Sequence, residues 1–346
     1  MFRRPSLAAV LGAAALALAG AAAALAPSSA SAQSSQTIAV EPFTSKISAY
    51  AGLVVWSHWD AAGGAYRLMD HYRGRSEVLP IAPRRVPFDV DLGPDARGRV
   101  VAVYSRCSRE RAVWVLGAGT PTPLPSGCVL YRYDFTTRRE GRIGGIVGSG
   151  SFYLPTIWHD EIAYVRTRGS GAPELFAQPL TAPRRGRIAA VALPGGSSGG
   201  PGPVSLDLDQ VQLAFSWQTL GGGEISSTIY LDTLPVSPRA AATSIAADAE
   251  AGDARNPGFL DFPSFASGSL YYGQFDGSSI LPAGDAFERV TPSGTVTATA
   301  TAPHALRGQV RDRSTTYALY GAYAGQFSSC GLTGCALIAI TGLRYR

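Results

Sequence analysis

An aromatic residue at the end of a short apolar run recurs six times along the chain, and it restricts the fold more than any other feature. The runs are Val55-Trp56-Ser57, Val103-Tyr104-Ser105, Ala163-Tyr164-Val165, Ala214-Phe215-Ser216, Tyr271-Tyr272-Gly273 and Leu319-Tyr320-Gly321. Their aromatic positions lie 48, 60, 51, 57 and 48 residues apart, which makes six units of about fifty residues. Strand-like segments flank each anchor. An inner segment precedes it (88–92, 204–208, 259–262), another follows it (66–69, 129–134, 174–180, 227–232, 287–290, 336–340), and most units add one more (77–79, 141–143, 187–189, 295–297). No long stretch after residue 32 keeps a 3.6-residue apolar period. Four short strands per unit at this repeat length predict an all-β chain, a six-bladed β-propeller with one radial sheet per unit. A pair of β-sandwiches with chance aromatic spacing is the competing architecture. The last unit ends at Arg346 after its third strand, while Thr37-Ile38-Ala39-Val40 belongs to no unit. The N-terminal strand is therefore expected to close the last blade and so hide an exposed sheet edge.

Residues 1–32 read as a signal peptide: Arg3 and Arg4, an apolar Ala/Leu run from Leu7 to Leu25, then the small-residue site Ala30-Ser31-Ala32. This predicts a secreted or extracytoplasmic protein with a single propeller domain over 33–346 and no membrane span once the signal is removed. Without the two signal arginines the chain carries 28 basic and 25 acidic residues, a net charge of +3. That is too little to draw it to nucleic acid. Lys46 is the sole lysine, and the arginines are scattered in pairs (84 and 85, 138 and 139, 184 and 185) rather than gathered on one stripe. The small-residue bias and the preference for Arg suggest a GC-rich bacterial source.

Four cysteines in an exported chain imply two disulfides. Cys330 and Cys335 bracket a Gly-containing hairpin loop, and Cys107 and Cys128 bracket a Pro-rich one, so the expected pairs are Cys107–Cys128 and Cys330–Cys335. A four-cysteine zinc site is the alternative, against which stand the wide spacing and the oxidising compartment.

Residues 93–105, Gly-Pro-Asp-Ala-Arg-Gly-Arg-Val-Val-Ala-Val-Tyr-Ser, resemble the turn-and-strand core of the TolB-type six-bladed propellers with WD40-like repeats. Tyr131-Arg132-Tyr133-Asp134 is similar to the strand that follows in that family, and 158–164 is a more degenerate copy. The resemblance implies an extracytoplasmic interaction scaffold with a central channel, although some propeller relatives are enzymes.

No residue set identifies a reaction. Gly195-Gly196-Ser197-Ser198-Gly199 spells a nucleophile-elbow pattern, but it lacks the preceding strand and following helix that such an elbow needs. His58 and His159 each neighbour a Trp and a carboxylate, yet one follows its anchor and the other precedes one, so they are expected at opposite strand ends. Asp89, Asp91, Asp207, Asp209 and Asp261 all fall in the inner segments expected to line the axis. Converging carboxylates of this kind bind a hard cation such as Ca²⁺ or perform glycoside chemistry; no other cofactor is implied. Equally, they can bond backbone amides between strands. Asp89, Asp91, Asp207 and Asp261 are the ligand-binding candidates. The favoured function is a non-catalytic scaffold for an extracytoplasmic protein, peptide or glycan, and the rival is a propeller hydrolase or lyase acting on a glycan or ester.

Overall fold

A computed structural model describes residues 33–111, 124–146, 148–169, 172–180, 189–190, 202–221, 224–234, 242–248, 259–275, 285–291, 296–321, 330 and 334–346. The predicted signal segment and the Gly195–Gly199 pattern lie outside the described residues. Among the described residues every regular element is a strand, and no helix is long and apolar enough to cross a membrane.

The strands form six antiparallel four-stranded sheets. Blade 1 is β2 (Ile47–Tyr50), β3 (Leu53–Asp60), β4 (Ala65–Tyr72) and β5 (Arg75–Val78); blade 2 is β6 (Asp91–Pro94), β7 (Val100–Arg106), β8 (Val129–Asp134) and β9 (Arg139–Arg142). Blade 3 is β10 (Ser151–Trp158), β11 (Glu161–Thr167), β12 (Glu174–Pro179) and β13 (Ala189–Ala190). Blade 4 is β14 (Gly202–Asp209), β15 (Gln212–Gly221), β16 (Glu224–Thr233) and β17 (Thr243–Asp248). Blade 5 is β18 (Phe259–Ala266), β19 (Ser269–Phe275), β20 (Ala286–Val290) and β21 (Val296–Thr301). Blade 6 is β22 (Ala305–Asp312), β23 (Thr315–Gly321) and β24 (Cys335–Thr341), and its fourth strand is β1 (Ser34–Glu41) from the other end of the chain. Thr37 pairs with Ile338 and Val40 with Ala336, so the N-terminal strand closes the ring as its sequence predicts.

All six anchors lie on the second strand of a blade and all are buried. In blades 2, 3 and 4 the anchor ring stacks on its neighbour in the third strand: Tyr104 on Tyr131, Tyr164 on Phe176, Phe215 on Tyr230. Cross-strand aromatic pairs of this kind fix register, because a one-residue slip would turn each ring out of the core. The fourth strands β5 and β9 are exposed throughout, as expected at the rim.

Antiparallel order gives the ring two unlike faces. The hairpins joining first to second and third to fourth strands gather on one, the hairpin face. The loops joining second to third strands and the connections between blades gather on the other, the loop face. Both disulfides, Cys107–Cys128 and Cys330–Cys335, lie on the loop face and form the expected pairs, which removes the zinc alternative. Glu41, at the loop-face end of the closing strand, is 2% exposed and accepts hydrogen bonds from Trp56 Nε1 (2.7 Å), His58 Nδ1 (3.0 Å) and the Trp59 amide (3.3 Å). One carboxylate thereby ties the strand that completes blade 6 to blade 1.

Candidate functional site at the axis of the ring

The innermost strands bring one residue per blade to a common level. Ser48, Asp91, Thr156, Asp207, Ser264 and Gly308 each pair with the residue just before that blade's anchor. Ser48, Asp91, Asp207 and Ser264 line one small cavity together with Lys46, Ser205 and Gln309. Its volume is about 20 Å³, room for a water molecule and for no organic substrate. Lys46 is 5% exposed, and among the described residues its Nζ has no hydrogen-bond partner.

Most of the axial carboxylate oxygens join one blade to the next. Asp91 accepts from Ser48 Oγ of blade 1 (2.9 Å) and from Thr156 Oγ1 of blade 3 (2.7 Å). Asp207 of blade 4 accepts the Phe265 amide of blade 5 at 2.5 Å. Asp261 accepts from Ser216 Oγ and the Phe262 amide, both at 2.7 Å, and from Ser205 Oγ. Burial raises Asp91 and Asp261 above the usual aspartate value, against the pull of Lys46 and their own hydrogen bonds. Asp207 is raised furthest, first by burial and then by the facing Asp91. Lys46 borders the same cavity as Asp91 and Asp207, and its charge opposes the rise of all three aspartates. Its signal in the sequence is its singularity, a lone lysine just after the closing strand.

Asp89 is not part of this group. It sits nearer the loop face, 1% exposed, and accepts from the amides of Ser105 (2.8 Å) and Leu154 (2.9 Å), from Ser105 Oγ and from Arg84 (3.3 Å). Arg84 also holds Glu110 at 2.8 Å, so the connection between blades 1 and 2 is clamped onto blade 2. The Leu154 contact is one case of a recurring device. Strands β10, β14, β18 and β22 carry a β-bulge at the same place, after Tyr153, Pro203, Asp261 and Leu306 respectively. A bulge frees an amide from its ladder. In blades 3, 5 and 6 an amide at the bulge goes to the preceding blade: Leu154 to Asp89, Phe262 to Ser205 and Leu306 to Asp285. Leu154 and Phe262 adopt the left-handed backbone, φ 49° and 55°.

At the hairpin face one contact joins blades that are not neighbours and another joins neighbouring ones. Tyr50 of blade 1 meets Trp158 of blade 3 edge-on at 5.7 Å, and the Gly52 amide donates to Asp312 of blade 6 at 2.6 Å. Asp209 lies at this mouth and is raised by burial, with His159 opposing. His159 occupies the β10–β11 turn on this face, whereas His58 bonds Glu41 on the opposite side, so the two do not share a site. Among the described residues no group of three or more His, Cys, Asp or Glu is placed to hold a metal ion.

Fold and axis together define a six-bladed β-propeller closed by its N-terminal strand, with a small polar cavity at its axis. No family model matches the sequence, and no curated protein matches it. Solved structures do. An α-L-arabinofuranosidase from Fusarium graminearum, in complex with an iminosugar inhibitor, superposes with a TM-score of 0.53 at 8% identity, covering 88% of this chain and 97% of that one. TolB from Acinetobacter baumannii aligns with a TM-score of 0.47 at 12% identity over 84% of this chain, which spans 64% of TolB. The β-propeller domain of the Trilobed protease from Pyrococcus furiosus gives 0.44 at 9% identity, covering 89% of this chain and 96% of that domain. At these identities the likeness is one of fold.

Proposed function

We propose that this chain is an extracytoplasmic, non-catalytic recognition ring whose loop face binds a protein, peptide or glycan. The observation that carries this reading is the state of the axis. Asp91, Asp207 and Asp261 hold neighbouring blades together, and the space that Asp91 and Asp207 border is about 20 Å³, whereas glycoside chemistry needs two carboxyls flanking a space large enough for a sugar. The two disulfides support exposure to an oxidising compartment. They also brace loops on a rigid scaffold, the usual arrangement of a binding surface.

The test is affinity capture of the mature chain, 33–346, from the producing cell's envelope and medium, beside a screen of glycans and esters for turnover. A specific partner, lost when loop-face residues such as Arg85 and Arg109 are replaced by Glu, is expected. Turnover of a glycan or ester that disappears in Asp91→Asn and Asp207→Asn would overturn the reading in favour of a hydrolase.

A further inference from the structure

The seam between blades 1 and 2 opens on the hairpin face into a cavity of about 660 Å³, within the range of about 300–1,000 Å³ usual for small-molecule sites. Its floor is apolar: Leu53, Leu79, Val100, Tyr133 and Phe135 border it, and the first two and Tyr133 are core residues. Its rim carries charge of both signs in unequal number. Arg73, Arg75 and Arg138 stand there with Asp70 and Glu77. Glu77 faces Arg138 across the seam at 3.6 Å, and Asp70 lies directly opposite Glu77 in the β4–β5 ladder. Burial and this facing carboxylate raise Asp70 above its ordinary value. Among the described residues neither Arg73 nor Arg75 forms an ion pair; the Arg73 guanidinium instead lies 5.0 Å over the Tyr72 ring. The surplus at the rim is therefore guanidinium, a group that recognises carboxylates and sulfonates through a planar fork of donors.

We infer that this seam is a binding site for a small amphipathic anion, with an aromatic or acyl body on the Leu53–Leu79–Val100 floor and an acidic head among Arg73, Arg75 and Arg138. The site lies on the face opposite the proposed partner surface, so it stands or falls independently of that surface.

The probe is 1-anilinonaphthalene-8-sulfonate, an aromatic body with one sulfonate, titrated into the mature chain by fluorescence and calorimetry. Its neutral analogue N-phenyl-1-naphthylamine and a cationic naphthylmethylamine are the controls. One equivalent of the sulfonate is expected to bind, at least fivefold more tightly than either control. Replacing all three exposed arginines (R73Q, R75Q, R138Q) is expected to weaken the sulfonate about tenfold and leave the neutral analogue unchanged. Circular dichroism and Tm of the triple variant verify folding. Equal affinity of the triple variant for the sulfonate, tighter binding of the cation, or binding at many equivalent sites would each overturn the inference.

Discussion

Single carboxyl groups decide how this ring responds to pH. Burial, then Asp91, lifts Asp207 well above its ordinary value of 3.8, and burial lifts Asp91 and Asp261 in the same direction. A carboxyl with a higher pKa in the folded state than in the open chain holds its proton longer when folded. Between the two values the folded state binds more protons, so stability falls as pH rises through that window. Asp95 works the other way: against its burial, the Arg99 side chain and backbone amides lower it, and its stabilisation is lost only as pH falls below the ordinary range. Thermal unfolding is therefore expected to show Tm declining as pH rises above the ordinary carboxylate range. Asp207→Asn should flatten that decline and raise Tm at the alkaline end, and an unaltered slope in that variant would refute the assignment. Asp89 differs because it faces Arg84 and two amides. Asp89→Ala takes from buried Arg84 one of its two carboxylates, Glu110 remaining, and leaves the Ser105 and Leu154 amides without an acceptor; a loss of roughly 1–3 kcal/mol for each stranded amide is expected, read by urea unfolding. Asp89 and Asp91 sit two residues apart in the sequence and carry the same side chain. Asp89 becomes a clamp through nearby Arg84 and the Leu154 amide of blade 3, and Asp91 an axial group through Ser48 and Thr156 of blades 1 and 3; the contacts from other blades are not encoded in any local pattern.

Gly93 in β6 lies so close to blade 3 that an added Cβ would meet the Ile157 carbonyl oxygen at 2.0 Å. Gly93→Ala is expected to force the two inner strands apart and lower Tm by several degrees, whereas the same change at exposed Gly141, where an added Cβ meets nothing within 4 Å, should be nearly silent. The disulfides close loops of different length, with sequence separations of 21 and 5. Loop entropy assigns about 3 kcal/mol to the longer and about 2 kcal/mol to the shorter. Reduction of the folded protein should accordingly destabilise it, and Cys107→Ser with Cys128→Ser should account for the larger part in denaturant titrations. Strands were legible in the sequence where an aromatic anchor fixed their register: β8 covers Val129–Asp134 as read, and β24 extends its reading by one residue at each end. Of the inner segments, 204–208 and 259–262 were read too short, and 88–92 was read three residues too early, since β6 starts at Asp91. Segment 259–262 became the eight-residue β18, because the bulge between Asp261 and Ser264 breaks the two-residue alternation by which a longer strand is recognised.

For the molecule as a whole, the six-unit repeat determined the architecture and the charge balance argued against nucleic acid, both before any coordinates. The small polar cavity at the axis was not legible, since Lys46, Asp91, Asp207 and Ser264, which border it, come from four separate segments of the chain. Closure rests on β1, and Glu41→Ala would leave Trp56 Nε1 and the Trp59 amide without their acceptor. A loss of about 1–3 kcal/mol is expected, with faster hydrogen exchange confined to β1 and β24. The pairing of Ser34 with Thr341 also sets an order of events. The segment synthesised first among the strands finds its neighbour last, only after every other blade exists. Until then both β1 and β24 offer unpaired edges, so chains truncated before residue 335 should associate edge to edge rather than persist as five-bladed monomers.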